Sequence, residues 1–236
     1  MKILYIFPHP DDESFGPAPG IFQQLKCGHE VHLLTLTKGG ATRIRHDLGF
    51  TIEQMGEVRL EEMKCVAKTL GLSGMTVLDL PDSGLKNMNP LKIEQVIMEH
   101  IEQLQPQIVV TYAVHGISGF HDHLVSHATV KRVFCHMLET GHHYLKRLAF
   151  FTLGPDTKKN GPFNLQSSEW EEIDCILNIS EDEAEAGLRA LSCYKTYQQV
   201  IEKTGIADLT SDDIHFEFFN ESFHPVVNDI TEGIKD

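Results

Sequence analysis

Residues 2–14 of the chain read KILYIFPHPDDES, and this stretch decides both the fold and the position of the candidate site. Five apolar strand formers run directly into a loop. Prolines on both sides of His9 exclude a helix or a central strand through that loop. Ligands bind at the carboxyl edge of strands in open α/β sheets. Because three consecutive acidic residues are costly to hold together without a cation, we predict that the loop binds a metal ion.

Length and composition indicate one globular domain with an acidic surface. The chain has 236 residues, of which 41% are hydrophobic and 23% charged, and its formal net charge is -14. A chain of this size forms one large α/β domain and is short for two. A surface this acidic repels phosphate backbones and anionic lipids, so we expect neither nucleic acid nor membranes as partners.

The cysteines and the apolar segments indicate a cytoplasmic protein. There are five cysteines, widely spaced and without a C-x-x-C pair. This pattern argues against a disulfide framework or a structural zinc site, and we expect the cysteines to be small buried apolar residues. The first apolar run is too short for a signal peptide. No stretch approaches the roughly 18 apolar residues of a membrane helix.

Apolar runs rich in β-branched residues alternate with longer amphipathic segments. This alternation predicts an α/β fold, with a Rossmann-like, doubly wound, mostly parallel sheet and helices on both faces. The predicted strands are Lys2–Phe7, Glu30–Thr37, Thr76–Leu80, Gln107–Tyr112 and Arg147–Thr152, and the predicted helices cover 16–27, 52–70, 91–104 and 122–139. The polar segment 41–51 is predicted to be a mobile loop.

The remaining residues are predicted to extend the same domain. We expect a single domain over 1–236, with an α/β core at about 1–153 and a C-terminal extension at 154–236. A loop or linker is predicted at 155–168, followed by a strand at 174–179. Ser180 and Glu183 have the spacing of a capping box and predict a helix start. The last predicted strand covers 215–219.

A second cluster of polar residues follows the fourth predicted strand. Residues 116–123 read GISGFHDH, and His127 lies one helical turn further on. This loop and the first one both follow strands at the carboxyl edge, so they can meet at one crevice. A histidine, an aspartate three residues later and a histidine from the second loop form a ligand set typical of catalytic zinc. The adjacent Asp11 would remain available as a general base.

These two stretches resemble a known family. Residues 8–13, PHPDDE, resemble the A-H-P-D-D-E motif of the LmbE-like, or PIG-L, family of zinc-dependent N-acetylglucosamine deacetylases. Residues 116–123 resemble that family's G-x-x-G-H-P-D-H. The resemblance covers roughly the first two thirds of the chain. It implies a metal-dependent hydrolase that removes the N-acetyl group from an N-acetylglucosamine-type sugar conjugate. Its cofactor would be Zn2+, although Fe2+ or another divalent ion also suits such ligands.

The resemblance also implies roles for individual residues. His9, Asp12 and His123 would be the metal ligands, and Asp11 the general base. Glu13 would support the loop.

Two further residues are expected to bind substrate. Arg59 matches the arginine of an R-x-x-E helix that faces the substrate, and Asp82 falls where the family has a sugar-contacting acid. Without that resemblance, Arg59 could simply pair with Glu62 or Glu57 on its helix. Asp82 could be an ordinary turn residue.

The second motif departs from the family at Phe120 and His121. The family has histidine and then proline there, and its histidine stabilises the oxyanion or protonates the leaving amine. We assign that catalytic role to His121, one position later. The alternatives are weak activity or a different substrate. The role of Ser118 is open, and His127 is either a partner of the ligands or a surface residue.

Three interpretations of function follow. The first is the deacetylase, acting on a small N-acetylated sugar conjugate, for which we expect a homo-oligomer. The second is a metal-dependent hydrolase of another bond, such as a phosphoester. The third is a metal-binding LmbE-like protein with weak or no deacetylase turnover, suggested by Phe120.

Overall fold

A computed structural model describes residues 1–157 and 164–234, which form a sheet in the order β3-β2-β1-β4-β5-β7-β6. Strands β1 to β5 are parallel, and β7 runs antiparallel to β5 and β6. The mostly parallel sheet predicted from the sequence is therefore confirmed. The strands are β1 (Lys2–Phe7), β2 (Glu30–Thr37), β3 (Gly74–Leu80), β4 (Ile108–Tyr112), β5 (Arg147–Thr152), β6 (Cys175–Leu177) and β7 (Ile214–Phe218).

Helices connect the strands and cover both faces of the sheet. Helix α3 shows how local sequence sets the bounds. The Thr51 side chain accepts from the backbone of Gln54 in a capping box, and Gly71 ends the helix with φ 79°. The helices are α1 (Ala18–Lys26), α2 (Ile44–Asp47), α3 (Ile52–Leu70), α4 (Pro90–Leu104), α5 (His121–Glu139), α6 (Glu181–Leu191) and α7 (Gln198–Thr204).

Strand β1 divides the core into two layers. Ile3, Tyr5 and Phe7 belong to the apolar cluster on one face, and Leu4 and Ile6 to the cluster on the other. This division follows from the alternation of side chains along a strand. Helices α1, α3 and α6 pack on one another, and α4 packs on α5. All five side chains are buried, as expected for the central strand of a doubly wound sheet.

The topology places the two motif loops side by side. β1 pairs with β2 on one side and with β4 on the other. The chain thus winds in one direction from β1 and in the opposite direction from β4. Such a switch point opens a crevice at the carboxyl ends of the strands, which is where ligands bind in this class of sheet.

Several segments differ from the predictions. The predicted mobile loop at 41–51 contains α2. Strand β6 (Cys175–Leu177) is shorter at both ends than the strand predicted at 174–179. The carboxylate of Asp174, just before it, accepts the backbone N–H groups of Phe218 and Phe223. Helix α7 was not predicted. The loop prediction at 155–168 lies partly outside the described residues, which omit 158–163.

One cysteine prediction is wrong. Cys65 on α3 and Cys193 after α6 form a disulfide, with Cα atoms 5.7 Å apart. The wide sequence spacing hid this pair because it depends on how α3 packs against the C-terminal segment. Cys175 is buried, as expected, whereas Cys27 is exposed. Within 1–157 and 164–234, no helix is long and apolar enough to span a bilayer.

Candidate metal centre

The first loop of the site follows β1 and is held by hydrogen bonds within the loop and to β2. The backbone N–H of His9 donates to Oδ2 of Asp12 (2.8 Å). The carbonyl of Pro8 accepts from both the backbone N–H and the hydroxyl of Thr37, at the end of β2. The loop is therefore fixed to the neighbouring strand on the side where the crevice opens.

The second loop follows β4 and delivers His123 from the first turn of α5. Nδ1 of His123 lies 2.9 Å from the carbonyl oxygen of Gly116. Because a carbonyl only accepts, Nδ1 carries the proton and Nε2 keeps a free lone pair. Gly116 has φ 62°, and a Cβ at this position would lie 2.8 Å from Cβ of His123. Glycine is required for this close approach.

The two loops bring His9, Asp12 and His123 together. Nε2 of His123 is 3.3 Å from Oδ1 of Asp12, and Nδ1 of His9 is 3.6 Å from Oδ2. One ligand atom from each residue lies within 4.8 Å of the others. Two imidazole nitrogens and a carboxylate oxygen suit zinc and other divalent transition ions. The residues present thus fit a metal, and their role as ligands stays a prediction.

Tyr112, the last residue of β4, supports this cluster. Its hydroxyl donates to Oδ1 of Asp12 (2.8 Å), and its ring stacks on His123 with centroids 4.3 Å apart. Tyr112 therefore fixes a residue of each loop. Sequence reasoning treated it as an ordinary strand residue.

Two further carboxylates face the other nitrogen of His9. Nε2 of His9 lies 3.3 Å from Oδ2 of Asp122 and 3.4 Å from Oδ1 of Asp82. A proton on Nε2 would be shared with these acceptors and would leave Nδ1 for a metal. One ligand atom each from His9, Asp82 and Asp122 also lies within 4.8 Å of the others. Asp122 was not predicted as a site residue, although its position directly before His123 placed it at the same edge of the sheet.

Asp11 is held by Arg59 on α3. Nη2 of Arg59 donates to Oδ2 of Asp11 and to the carbonyl of Pro10, and Nη1 donates to the carbonyl of Gly39 and to the hydroxyl of Tyr197. Arg59 is 2% exposed. Both terminal nitrogens are thus occupied by protein acceptors, and the substrate contact predicted for Arg59 stays a prediction.

Burial and charge shift the pKa values of the acidic residues in different directions. Burial raises the pKa of Asp11 to about 6, although Arg59 opposes the rise. Burial likewise raises the pKa of Glu13 to about 7. For Asp12 burial also acts upward, but His123 and His9 outweigh it and hold the pKa of this carboxyl well below its usual range. The pKa values of neighbouring carboxyl groups are therefore shifted in opposite directions, as is common at functional sites.

The residues around the departure from the family motif lie at the start of α5. Phe120 is half exposed, and its ring meets that of His123 edge-on at 5.6 Å. His121 is exposed as the first residue of α5. Ser118 Oγ lies 3.2 Å from Nδ1 of His123. His127 is buried, so it is not a surface residue, and its Nδ1 lies 2.9 Å from the backbone carbonyl of Tyr112. A contact between His127 and the ligands stays a prediction. The catalytic role assigned to His121 stays a prediction.

Comparison with known sequences identifies the family. The family described as PIG-L, GlcNAc-PI de-N-acetylase, matches residues 4–134, which include both motif loops. A relative from Thermomonospora curvata, named 1D-myo-inositol 2-acetamido-2-deoxy-alpha-D-glucopyranoside deacetylase, is 29% identical over 152 residues. The alignment covers 56% of this chain and 51% of the relative. The chain thus spans about half the length of this relative.

Solved structures share the fold. The N,N'-diacetylchitobiose deacetylase of Pyrococcus horikoshii has a TM-score of 0.69 at 17% identity, covering 92% of this chain and 83% of its own. The 4-carboxy-2-hydroxymuconate hydratase of Pseudomonas putida KT2440 has a TM-score of 0.70 at 14% identity. The match covers 93% of this chain and 96% of the hydratase. Enzymes with different names therefore share this architecture, so the structural likeness establishes the fold alone. The sequence match over residues 4–134 establishes that the chain belongs to the PIG-L family.

Proposed function

We propose that this chain is a zinc-dependent hydrolase that removes the N-acetyl group from an N-acetylglucosamine-type sugar conjugate. The observation that carries the proposal is the convergence of His9, Asp12 and His123 at the crevice, with Asp11 beside them. Membership of the PIG-L family and the name of the Thermomonospora relative support the substrate class. Asp82 and Asp122, in contact with His9, support a site built around a cation.

The ligand set prepares one nitrogen of each histidine for the metal. The carbonyl of Gly116 holds Nδ1 of His123, and the carboxylate of Asp122 faces Nε2 of His9. Such outer hydrogen bonds orient a ring and raise its basicity. When bound, the cation supplies Lewis-acid polarisation of the acetamide carbonyl and of the attacking water.

Asp11 is proposed to accept the proton of that water. Arg59 binds its Oδ2, and among the described residues none hydrogen-bonds to its Oδ1. One oxygen therefore anchors the side chain while the other is available to a proton. General-base assistance of this kind contributes about 10²- to 10⁴-fold to a rate. Asp11 or a histidine then returns the proton to the departing amine, which gives acetate and a free amine.

His121 is proposed as the donor that assists the oxyanion in place of the family histidine. It is the exposed first residue of α5, two positions before His123. Asp82 is proposed to contact the sugar, since its Oδ2 is anchored by the N–H of Ala41 (2.6 Å) beside the cluster. Arg59 is proposed to serve the substrate through Asp11 because its guanidinium already binds protein acceptors.

A second candidate function is supported by Phe120. A phenyl ring cannot donate a hydrogen bond, and loss of one oxyanion donor costs about 10²- to 10³-fold in turnover. The chain would then bind metal with weak or no deacetylase turnover, or act on another bond. This candidate shares the metal site and differs in the product released.

The proposal also covers the class of substrate, the oligomeric state and the location of the protein. The net charge of -14 favours a small-molecule substrate over nucleic acid. We propose further that the protein forms a homo-oligomer in the cytoplasm and that residues 1–236 form a single domain. Light scattering of the purified chain tests the oligomer.

An acetate-release assay tests the function. The metal-loaded protein is given N-acetylglucosamine linked to inositol and N,N'-diacetylchitobiose, and acetate and free amine are measured together. Equal amounts of both products support deacetylation. Metal binding without acetate from either compound would favour the second candidate.

A further inference from the structure

The segment Cys193–Tyr197, here called the C-terminal clamp, packs on the face of α3 nearest the site. The backbone N–H and the hydroxyl of Thr196 donate to the two carboxylate oxygens of Glu62 (2.7 and 2.9 Å). Cys193 is joined to Cys65, one turn further along α3. The clamp is therefore attached to α3 at more than one point, which fixes its position relative to that helix.

The clamp reaches the first metal loop through Tyr197 and Arg59. The guanidinium carbon of Arg59 lies 4.1 Å from the centre of the Tyr197 ring, and Nη1 donates to the Tyr197 hydroxyl (3.1 Å). The other terminal nitrogen of Arg59 binds Asp11 and the carbonyl of Pro10. Arg59 is thus held between the clamp and the proposed base.

Tyr194 makes the most direct contact. Its hydroxyl accepts the backbone N–H of Asp11 (2.8 Å) and donates to Oε1 of Glu13 (2.6 Å). All three residues are buried. A tyrosine hydroxyl has one proton to donate, so Glu13 uses it and Asp11 uses the oxygen. A single atom therefore links the main chain of Asp11 to the side chain of Glu13.

The backbone of Asp11 needs such support. Its φ is 87°, in the region that residues with a Cβ rarely adopt. Conformations of this kind persist only where the surroundings hold them. The N–H of Asp11 would lose its protein acceptor without the Tyr194 hydroxyl. The direction of the Asp11 carboxylate depends on this conformation.

We propose that Tyr194 is a positioning residue that holds Asp11 in its catalytic conformation. The inference rests on the proposed role of Asp11 as the base. It gives a role to a part of the chain outside the family match at 4–134. The C-terminal clamp would thus complete the active site without touching the substrate.

Tyr194→Phe tests the inference because it removes one oxygen and keeps the ring. We expect kcat to fall by about 10- to 100-fold, as for a small misplacement of a reacting group. KM should stay within about twofold and metal content should be unchanged. Tyr5→Phe is the matched control, since the Tyr5 hydroxyl is also buried but bonds to Gln24 on α1. Full kcat in Tyr194→Phe would overturn the inference.

A double mutant separates positioning from a general structural effect. If Tyr194 acts through Asp11, Tyr194→Phe should cost no further activity in an Asp11→Asn background. The same fold-loss in both backgrounds would overturn the inference.

Hydrogen exchange distinguishes failure of this inference from failure of the proposed function. The metal-loaded wild type should protect the amide of Asp11, and Tyr194→Phe should speed exchange in a peptide covering residues 9–14. If exchange is faster in Tyr194→Phe but the wild type releases no acetate, the deacetylase function is rejected and the positioning role of Tyr194 is retained. Unchanged exchange would reject the positioning role whether or not the wild type releases acetate.

Discussion

Nε2 of His123 lies 3.3 Å from Oδ1 of Asp12, although the two residues come from loops after different strands. The same oxygen accepts the hydroxyl of Tyr112. Asp12 therefore connects the two loops. Its carboxylate is the negative charge that both histidine rings approach, which makes it the most informative position for testing metal binding.

Asp12→Asn should abolish tight metal binding. The amide keeps the size of the side chain but removes the negative charge that compensates a dication. We expect the metal content after dialysis to fall from about one ion per chain to less than about a tenth, since structural and catalytic sites depend on every ligand. Inductively coupled plasma mass spectrometry measures it. His143→Ala, an exposed histidine after α5, is the control. Wild-type metal content in Asp12→Asn would remove Asp12 from the ligand set.

Asp11→Asn should separate turnover from metal binding. The variant cannot accept a proton but leaves the three proposed ligands in place. We expect kcat to fall by about 10²- to 10⁴-fold, the usual contribution of a general base. Metal content should equal that of the wild type. Asp79→Asn, an exposed carboxylate on β3, is the control. An active Asp11→Asn enzyme would exclude Asp11 as the base.

Phe120→His should raise turnover. It restores the imidazole that the family motif has at this position. Because His121 is proposed to supply a donor already, the gain should stay below the value of a sole oxyanion donor, which is about 10²- to 10³-fold. Since Phe120 is half exposed, the substitution leaves the core intact. Steady-state acetate release compares the two proteins.

A second substitution tests whether His121 replaces the missing donor. His121→Ala should lower kcat in the natural chain and have little effect in the Phe120→His background. Equal activity of His121→Ala and the wild type would reject the role proposed for His121.

The Cys65–Cys193 disulfide should contribute to stability. It closes a loop with a sequence separation of 128 residues. Cross-links over loops of this length stabilise by about 2–5 kcal/mol. Cys65→Ser should therefore lower the free energy of unfolding in urea by about that amount. Dithiothreitol should lower wild-type stability and leave Cys65→Ser unaffected. Cys27→Ser, at an exposed free cysteine, controls for loss of a thiol. No effect of dithiothreitol on the wild type would contradict this prediction.

The parts of the fold that could be predicted from sequence are those with strong local signals. β1, β2 and α3 have the predicted bounds because continuous apolar runs and caps, such as Thr51 and Gly71, define them locally. Helix α7 ends at Gly205 with φ 65° but has no side-chain cap at its start, and it was not predicted.

In the candidate site, too, some features could be predicted from the sequence and others could not. The grouping of His9, Asp12 and His123 was predictable because both loops follow strands at one sheet edge. The Tyr194 contacts with Asp11 and Glu13, and the approach of Asp122 to His9, were not. They depend on tertiary packing, and nothing in the local pattern around Tyr194 or Asp122 specifies the partner.

Titration of metal-free protein with Zn2+, followed by measurement of acetate release from an N-acetylglucosamine conjugate, tests whether the chain is a metal-dependent deacetylase. We expect activity to rise with zinc and to reach its plateau at about one ion per chain, the stoichiometry of a site with three protein ligands. Asp12→Asn should remain inactive throughout the same titration. Acetate release that does not depend on any divalent metal, or no acetate release from any such conjugate at one bound ion per chain, would reject the proposed function.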